Sequence, residues 1–384
     1  MIHIGSKLPQ VGTTIFTVMS AMAERCGAIN LAQGFPDFQP PERLLQLVAQ
    51  HYLQGNNQYA PMAGILPLRE RISEKIAALY GAVFSPADEI TVTAGGTQAL
   101  FTAISAFVRP GDEVIIFEPA YDSYRPVIEL MGASVAVYEL EGPDFRPDWD
   151  LFRRLISMRT RMIIINTPHN PTGMVMRQED MQQLSQMLQG TDILVLSDEV
   201  YEHLVFDGES HQSVLRFPGL RERSMAVYSF GKTLHSTGWK IGYCVAPAAL
   251  MLEFRKVHQF NVFAVNTPVQ HALADYLADP YTYLGVGLFY SQKRDLFVEC
   301  LRGSQLKPLL CEGTYFQLCD YSAISTEDDV SFANRITQEY GVAAIPVSAF
   351  YQSKKQQQLI RLCFAKKEET LREAGRRLCA LSLR

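Results

Sequence analysis

The sequence is poor in the features that mark several large protein classes. Cysteine is scarce: seven stand in 384 residues, at 26, 244, 300, 311, 319, 363 and 379. No two have the C-x-x-C spacing of a redox or metal site. That excludes a disulfide framework and leaves reduced, structural thiols as the expectation. Histidine is also sparse, with eight residues and no H-E-x-x-H, so no metal site is expected. No run approaches the ~18–20 apolar residues of a spanning helix. Residues 99–108, ALFTAISAFV, are interrupted by Thr102 and Ser105 and read as a buried helix. There is no polybasic run, and 35 basic against 40 acidic residues leave a net charge of −5. Neither nucleic acid nor a membrane is therefore an expected partner. The start, MIHIGSKLPQVG, lacks a basic stretch followed by an apolar one, and the expected location is the cytoplasm. G-x-G-x-x-G and G-x-x-x-x-G-K-[ST] are both missing, which argues against a dehydrogenase and a P-loop NTPase.

What is present is 47% apolar content in a repeating pattern. Short Val/Ile-rich runs lie at 89–94, 112–117, 134–140, 162–166, 192–198, 224–230 and 241–246. Runs of this length and composition suit fully buried strands. Segments with helical periodicity lie between most of them. In 178–189, Met181, Leu184, Met187 and Leu188 share one face. This alternation predicts an α/β fold with a mostly parallel seven-stranded sheet covered on both sides. The ends differ. Residues 34–41, GFPDFQPP, are rich in Gly and Pro, no clear strand lies before residue 40, and short strands follow near 314–319 and 359–364. The expected division is a large domain at 45–285 and a smaller α+β domain from 1–44 and 286–384.

In open parallel sheets, ligands bind beyond the carboxyl ends of the strands. Those ends are unusually polar here. The first run is followed by Gly95-Gly96-Thr97, the fourth by NTPHNPTG at 166–173, and the fifth ends in Asp198 with Tyr201 close behind. The sixth leads into Ser229-Phe230-Gly231-Lys232, with Lys240 further on. A Gly-Gly-Thr turn opening a helix suits a phosphate, and Ser229 and Lys240 can complete that cup. A buried Asp at a strand end asks for a positive group opposite. Asn170 and Tyr201 can hold an oxygen-bearing edge, and Lys232 in a dry crevice can serve as an amine nucleophile. Phosphate, ring nitrogen, phenolate oxygen and aldehyde together describe pyridoxal 5′-phosphate.

At HNPTG, SDEVYEHL and SFGKTLHSTGWKIG, taken in that order, the chain resembles the class I/II aminotransferases of fold type I. It is similar in particular to their methionine, aromatic-amino-acid and kynurenine/glutamine transaminase-like subgroup. The likeness runs from LAQGFPDF at 31–38 to IRLCFAK at 360–366. It implies that Lys232 carries the cofactor and acts as general base. Asp198 would pair with the ring nitrogen, Tyr201 and Asn170 with the ring oxygen, and Tyr121 would stack on the ring. Gly96, Thr97, Ser229 and Lys240 would hold the phosphate. Many aminotransferases have Arg where Lys240 stands, so a forked phosphate contact is not expected. Tyr59 would reach the phosphate in a neighbouring subunit, which implies a homodimer with shared sites. Arg361 would clamp the substrate carboxylate, with the Gly34 backbone beside it and Phe16 lining the pocket. The implied reaction moves the amino group of methionine or an aromatic amino acid to a 2-oxo acid. Histidine, glutamine and kynurenine are further candidates. A cysteine-conjugate β-lyase and a regulatory domain that keeps the cofactor without turnover are the alternatives, although no residues are left over for a DNA-binding domain.

Plainer readings stand beside these. Arg361 inside an apolar strand needs an anion, and a structural carboxylate would also serve. His169 borders the site and His203 reads as ordinary. Lys366-Lys367 reads as a solvated helix start.

Overall fold

The computed structural model describes residues 4–381. At its centre are seven strands: β1 (Ile90–Thr93), β2 (Glu113–Glu118), β3 (Ser134–Glu139), β4 (Thr160–Asn166), β5 (Leu194–Asp198), β6 (Ser224–Ser229) and β7 (Gly242–Val245). They correspond to the seven apolar runs. Their order across the sheet is β1-β7-β6-β5-β4-β2-β3. All neighbours are parallel except at β7, which runs antiparallel to both β1 and β6.

Side chains along a strand alternate between faces, and both faces are covered here. Met162 and Ile164 of β4 enter one apolar cluster, Ile163 and Ile165 the other. The helix Gly96–Phe107 covers the first face with Ala99, Leu100, Ala103 and Ile104. The helix Leu66–Tyr80 covers the second with Leu68, Ile72 and Ile76, one turn apart. Burial on both sides explains why the strands read as continuous apolar runs rather than as alternating ones.

A third cluster lies away from this sheet, on four antiparallel segments in the order Ile345–Pro346, Leu359–Cys363, Phe316–Asp320 and Lys307–Pro308. Arg361 stands mid-strand here, opposite Leu318 and Ile345. Two residues of the amino-terminal region, Ile29–Asn30, pair in parallel with Val342–Ala343. That pairing corrects the expectation of no strand before residue 40; two residues carry too little pattern to be read. The lysine pair at 366–367 also needs correction. The helix begins at Glu368, and Lys366 is buried, its amine donating to the Phe35 carbonyl (2.8 Å) and lying over the Phe35 ring. A long aliphatic stem with one paired tip is compatible with burial. The seven cysteines are free thiols. No described helix is long and apolar enough to cross a membrane.

Candidate active site

Sheet register places the polar residues in rows. Asn166 is paired directly with Asp198 at the ends of β4 and β5. Thr93, Gly242 and Ser229 form a second row across β1, β7 and β6. Because β7 runs backwards, its first residue lies at the edge where its neighbours end. The segment entering it, with Lys240, is thereby delivered to the same edge. A cavity of about 190 Å³ opens there. Its lining includes Gly96, Thr97, Tyr121, Asn170, Asp198, Tyr201, Ser229, Lys232 and Lys240.

One end of this cavity is built for an anion. Gly95 turns the chain from β1 into the helix with φ of +83°, a conformation costly for any residue with a Cβ. The helix then presents N–H groups that have no intrahelical partner, together with its positive dipole end. The Lys240 amine lies beside Gly95, 3.5 Å from where a Cβ would stand. Thr97 and Lys240 are exposed, so this end reaches solvent. The Thr97 hydroxyl bonds the Tyr121 phenol at 3.2 Å.

The other end is dry. Asp198 is buried and takes a hydrogen bond from the Tyr124 phenol at 2.6 Å. Burial pushes its carboxyl up to about 6, against opposing pulls from Tyr124, the Val200 amide and Lys232. Asn166 ties the row together: its amide donates to the Asp198 carbonyl (2.9 Å), and its side-chain oxygen accepts from the Asn170 backbone (2.8 Å).

Lys232 is half-buried. Its amine donates to the Tyr315 phenol at 2.6 Å and to the Gly34 carbonyl at 3.3 Å, with the Tyr201 ring 5.6 Å away. Burial lowers its pKa to about 8, aided by Lys240 and Arg361. About a tenth of the amine is therefore neutral at pH 7, far more than for an exposed lysine.

Arg361 is 1% exposed. One nitrogen donates to the Asn170 side chain (2.7 Å), another to the Ala32 carbonyl (2.8 Å), and Nε has no partner. It forms no salt bridge among the described residues. Phe316, Phe350 and Phe16 surround it at 3.7, 5.1 and 5.2 Å. Gly34 fits only as glycine, since a Cβ would stand 2.6 Å from the Phe316 ring.

Within one chain the structure thus brings the expected residues together, except Tyr59. That ring is 82% exposed and packs edge-on against the exposed Phe263, away from the cavity. Tyr124, Asn166 and Tyr315 were missed. Asn166 follows from the same strand-end rule that found Asp198; the two tyrosines depend on packing that the sequence does not spell out. His169, expected to border the site, is buried and bonded to Thr172 (2.8 Å) but does not line the cavity.

A glycine turn suited to an anion, a buried carboxylate, a weakened lysine and an unfulfilled guanidinium fit pyridoxal 5′-phosphate and an amino acid. The orphaned Nε of Arg361 and the Gly95–Gly96 turn are the local evidence for that fit. The family model for aminotransferase class I and II matches residues 27–378, and the chain belongs to that family of pyridoxal-phosphate-dependent enzymes. Over 374 residues it is 57% identical to the methionine aminotransferase of Escherichia coli, covering 97% of each chain. The solved structure of E. coli YbdL, for which a methionine aminotransferase function was identified, superposes with a TM-score of 0.97 at 56% identity, covering 99% of this chain and all of that one. Human kynurenine–oxoglutarate transaminase 1 is 34% identical over 393 residues, 93% of each chain.

Proposed function

We propose that this aminotransferase takes methionine and aromatic amino acids as donors and 2-oxo acids as acceptors. The observation that carries this reading is the pairing of one buried guanidinium, Arg361, with an aromatic collar of Phe16, Phe316 and Phe350. A single clamp serves the α-carboxylate, and the phenylalanine rings favour a neutral, bulky side chain. The 57% identity to a methionine aminotransferase supports the same choice.

The residues divide the work. Gly96, Thr97, Ser229 and Lys240 would hold the phosphate of the cofactor. Asp198 would face the ring nitrogen and hold its proton, and Tyr124 orients the carboxylate. Asn170 and Tyr201 would take the ring oxygen, and Tyr121 would cover the ring. When bound, pyridoxal phosphate supplies the reactive carbonyl carbon and the electron sink for charge developing at Cα. Lys232 Nζ would take the proton at Cα, as a general base with its pKa lowered toward neutral pH. Arg361, with Asn170, fixes the carboxylate so that the Cα–H bond is presented to that amine.

We further propose a homodimer in which Tyr59 completes the partner's phosphate cup. The exposed, mutually packed rings of Tyr59 and Phe263 support it, because contiguous exposed apolar surface commonly marks an interface. A large unit at 45–285, a smaller one from the two ends, and a cytoplasmic location complete the reading. Initial rates for the twenty amino acids against several 2-oxo acids test it. Methionine or phenylalanine should lead; aspartate in first place would contradict the pocket.

A further inference from the structure

Tyr315 is fully buried, yet its hydroxyl sits where chemistry is expected. It accepts a hydrogen bond from the Lys232 amine and donates one to the Gly34 carbonyl, both at 2.6 Å. Lys232 also reaches that carbonyl at 3.3 Å. The three groups form a closed triangle in which each hydrogen bond has a partner. The Tyr315 ring is held on three sides by Tyr201, Phe316 and Tyr290. Its backbone is held as well. The Thr314 amide bonds the Leu204 carbonyl, and Glu312 and Gly313 bond the Gly173 carbonyl in the loop that carries Asn170. So the phenol is fixed in relation to the site and has little freedom to turn away.

We propose that the Tyr315 hydroxyl and the Gly34 carbonyl form the seat of the free Lys232 amine, making Tyr315 a positioning residue for proton transfer at Cα. This rests on the reading of Lys232 as the base. A primary amine on a four-carbon stem has many rotamers, and a base that wanders loses rate through misplacement. The seat confines it with one neutral donor–acceptor and one acceptor, neither of which takes its lone pair permanently. The seat also accepts N–H bonds from the ammonium form, so it can hold the amine before and after it gains a proton. Asp198, Lys240, Arg361, Cys363 and the Tyr201 phenol are the other titratable groups around this amine.

The test compares Tyr315→Phe with Tyr290→Phe, whose hydroxyl bonds His235 at 2.8 Å instead. In full-length protein freed of cofactor, the pH dependence of Lys232 acetylation by acetic anhydride is followed on its peptide. Loss of a hydrogen bond to the charged amine should lower the Lys232 midpoint by about one pH unit in Tyr315→Phe. Tyr290→Phe should leave it in place. In the loaded enzyme, kcat should fall about tenfold with KM little changed, and the isotope effect with Cα-deuterated donor should rise. In the unsubstituted protein, the Tyr315 ¹³Cζ resonance should move through the same pH interval as Lys232, which keeps the test open should the variant fail to fold. An unmoved midpoint, equal shifts in both variants, or an immobile Tyr315 resonance would overturn the seat. Borohydride reduction of the wild type separates the two levels. Cofactor fixed on a lysine other than Lys232 sinks the underlying reading, whereas normal labelling with an unmoved midpoint sinks the seat alone.

Discussion

Two groups of buried charges begin at neighbouring residues, Asp198 and Glu199, and they are treated differently. Glu199 and Glu202 face away from the cavity. Both Glu199 oxygens are met, by Ser197 (2.8 Å), the Val214 amide (3.0 Å), His211 (2.8 Å) and Tyr228 (2.9 Å). Glu202 is met by Lys75 at 2.5 Å, by Tyr243 at 3.1 Å and by Tyr80. Burial alone would raise the Glu202 carboxyl, but the Lys75 ammonium, with His203, outweighs it and holds the group at about 2. Asp198 and Arg361, on the cavity side, are buried to a similar degree. Yet among the described residues the Asp198 carboxylate has no cation bonded to it, and the Arg361 Nε has no acceptor. Buried charge is thus no mark of function by itself. What sets Asp198 and Arg361 apart is the lack of a counter-charge among the described residues, which leaves room for a charged ligand.

Substitutions on either side should break this contrast if it is wrong. The largest effect belongs to Lys232→Ala, which should lower transamination about 10³-fold or more while leaving the thermal midpoint nearly unchanged. Ordinary turnover in that variant would point to another base. Next comes Glu202→Gln on the closed side, which strands the Lys75 charge and should cost about 3–5 kcal/mol of stability in denaturant titration. The protein that remains folded should keep its kcat; a catalytic loss without a stability loss would erase the distinction.

Asp198→Asn should behave in the reverse manner. Its folded pKa of about 6 lies above the ordinary 3.8. The folded chain then holds this proton more tightly than the unfolded one, so stability is lost as pH rises from 3.8 through 6. Removing the carboxyl should therefore stabilise the cofactor-free protein at pH 7 by up to ~3 kcal/mol, have no such effect near pH 3, and depress activity. For Glu202 the sign is opposite. Its folded value of about 2 lies below the ordinary 4.5, so its contribution is present above 4.5 and disappears as pH falls toward 2. Equal pH trends in the two variants would contradict the assignment. The smallest effect is that of Arg361→Ala, which should raise the KM for the amino donor about 10- to 100-fold. An unchanged KM would remove Arg361 from the substrate site.

The legible part of this molecule was the part with local pattern. Six of the seven strands were visible because they are covered on both faces and so are written in consecutive apolar residues; the seventh, Ser134–Glu139 at the sheet edge, is only half-buried. Lys232, Asp198 and Asn170 were visible because they follow strand ends. The reversed direction of β7 was not, since Val and Ile read alike in either direction, and that reversal brings Lys240 to the site. Tyr124 and Tyr315 were not visible either. Their hydroxyls gain meaning only from Asp198, 74 residues away, and Lys232, 83 away. Tyr59 marks a further limit, since its expected partner lies on another subunit. Lys366 shows that a lysine beside another lysine need not be solvated when a single carbonyl receives its amine.

The account depends most on the identity of the lysine that carries the cofactor. Borohydride reduction of the yellow holoenzyme, followed by peptide mapping, reads that identity directly. The label should fall on the peptide containing Lys232 and on no other. Label on Lys240, Lys366 or any other lysine would contradict the site described above.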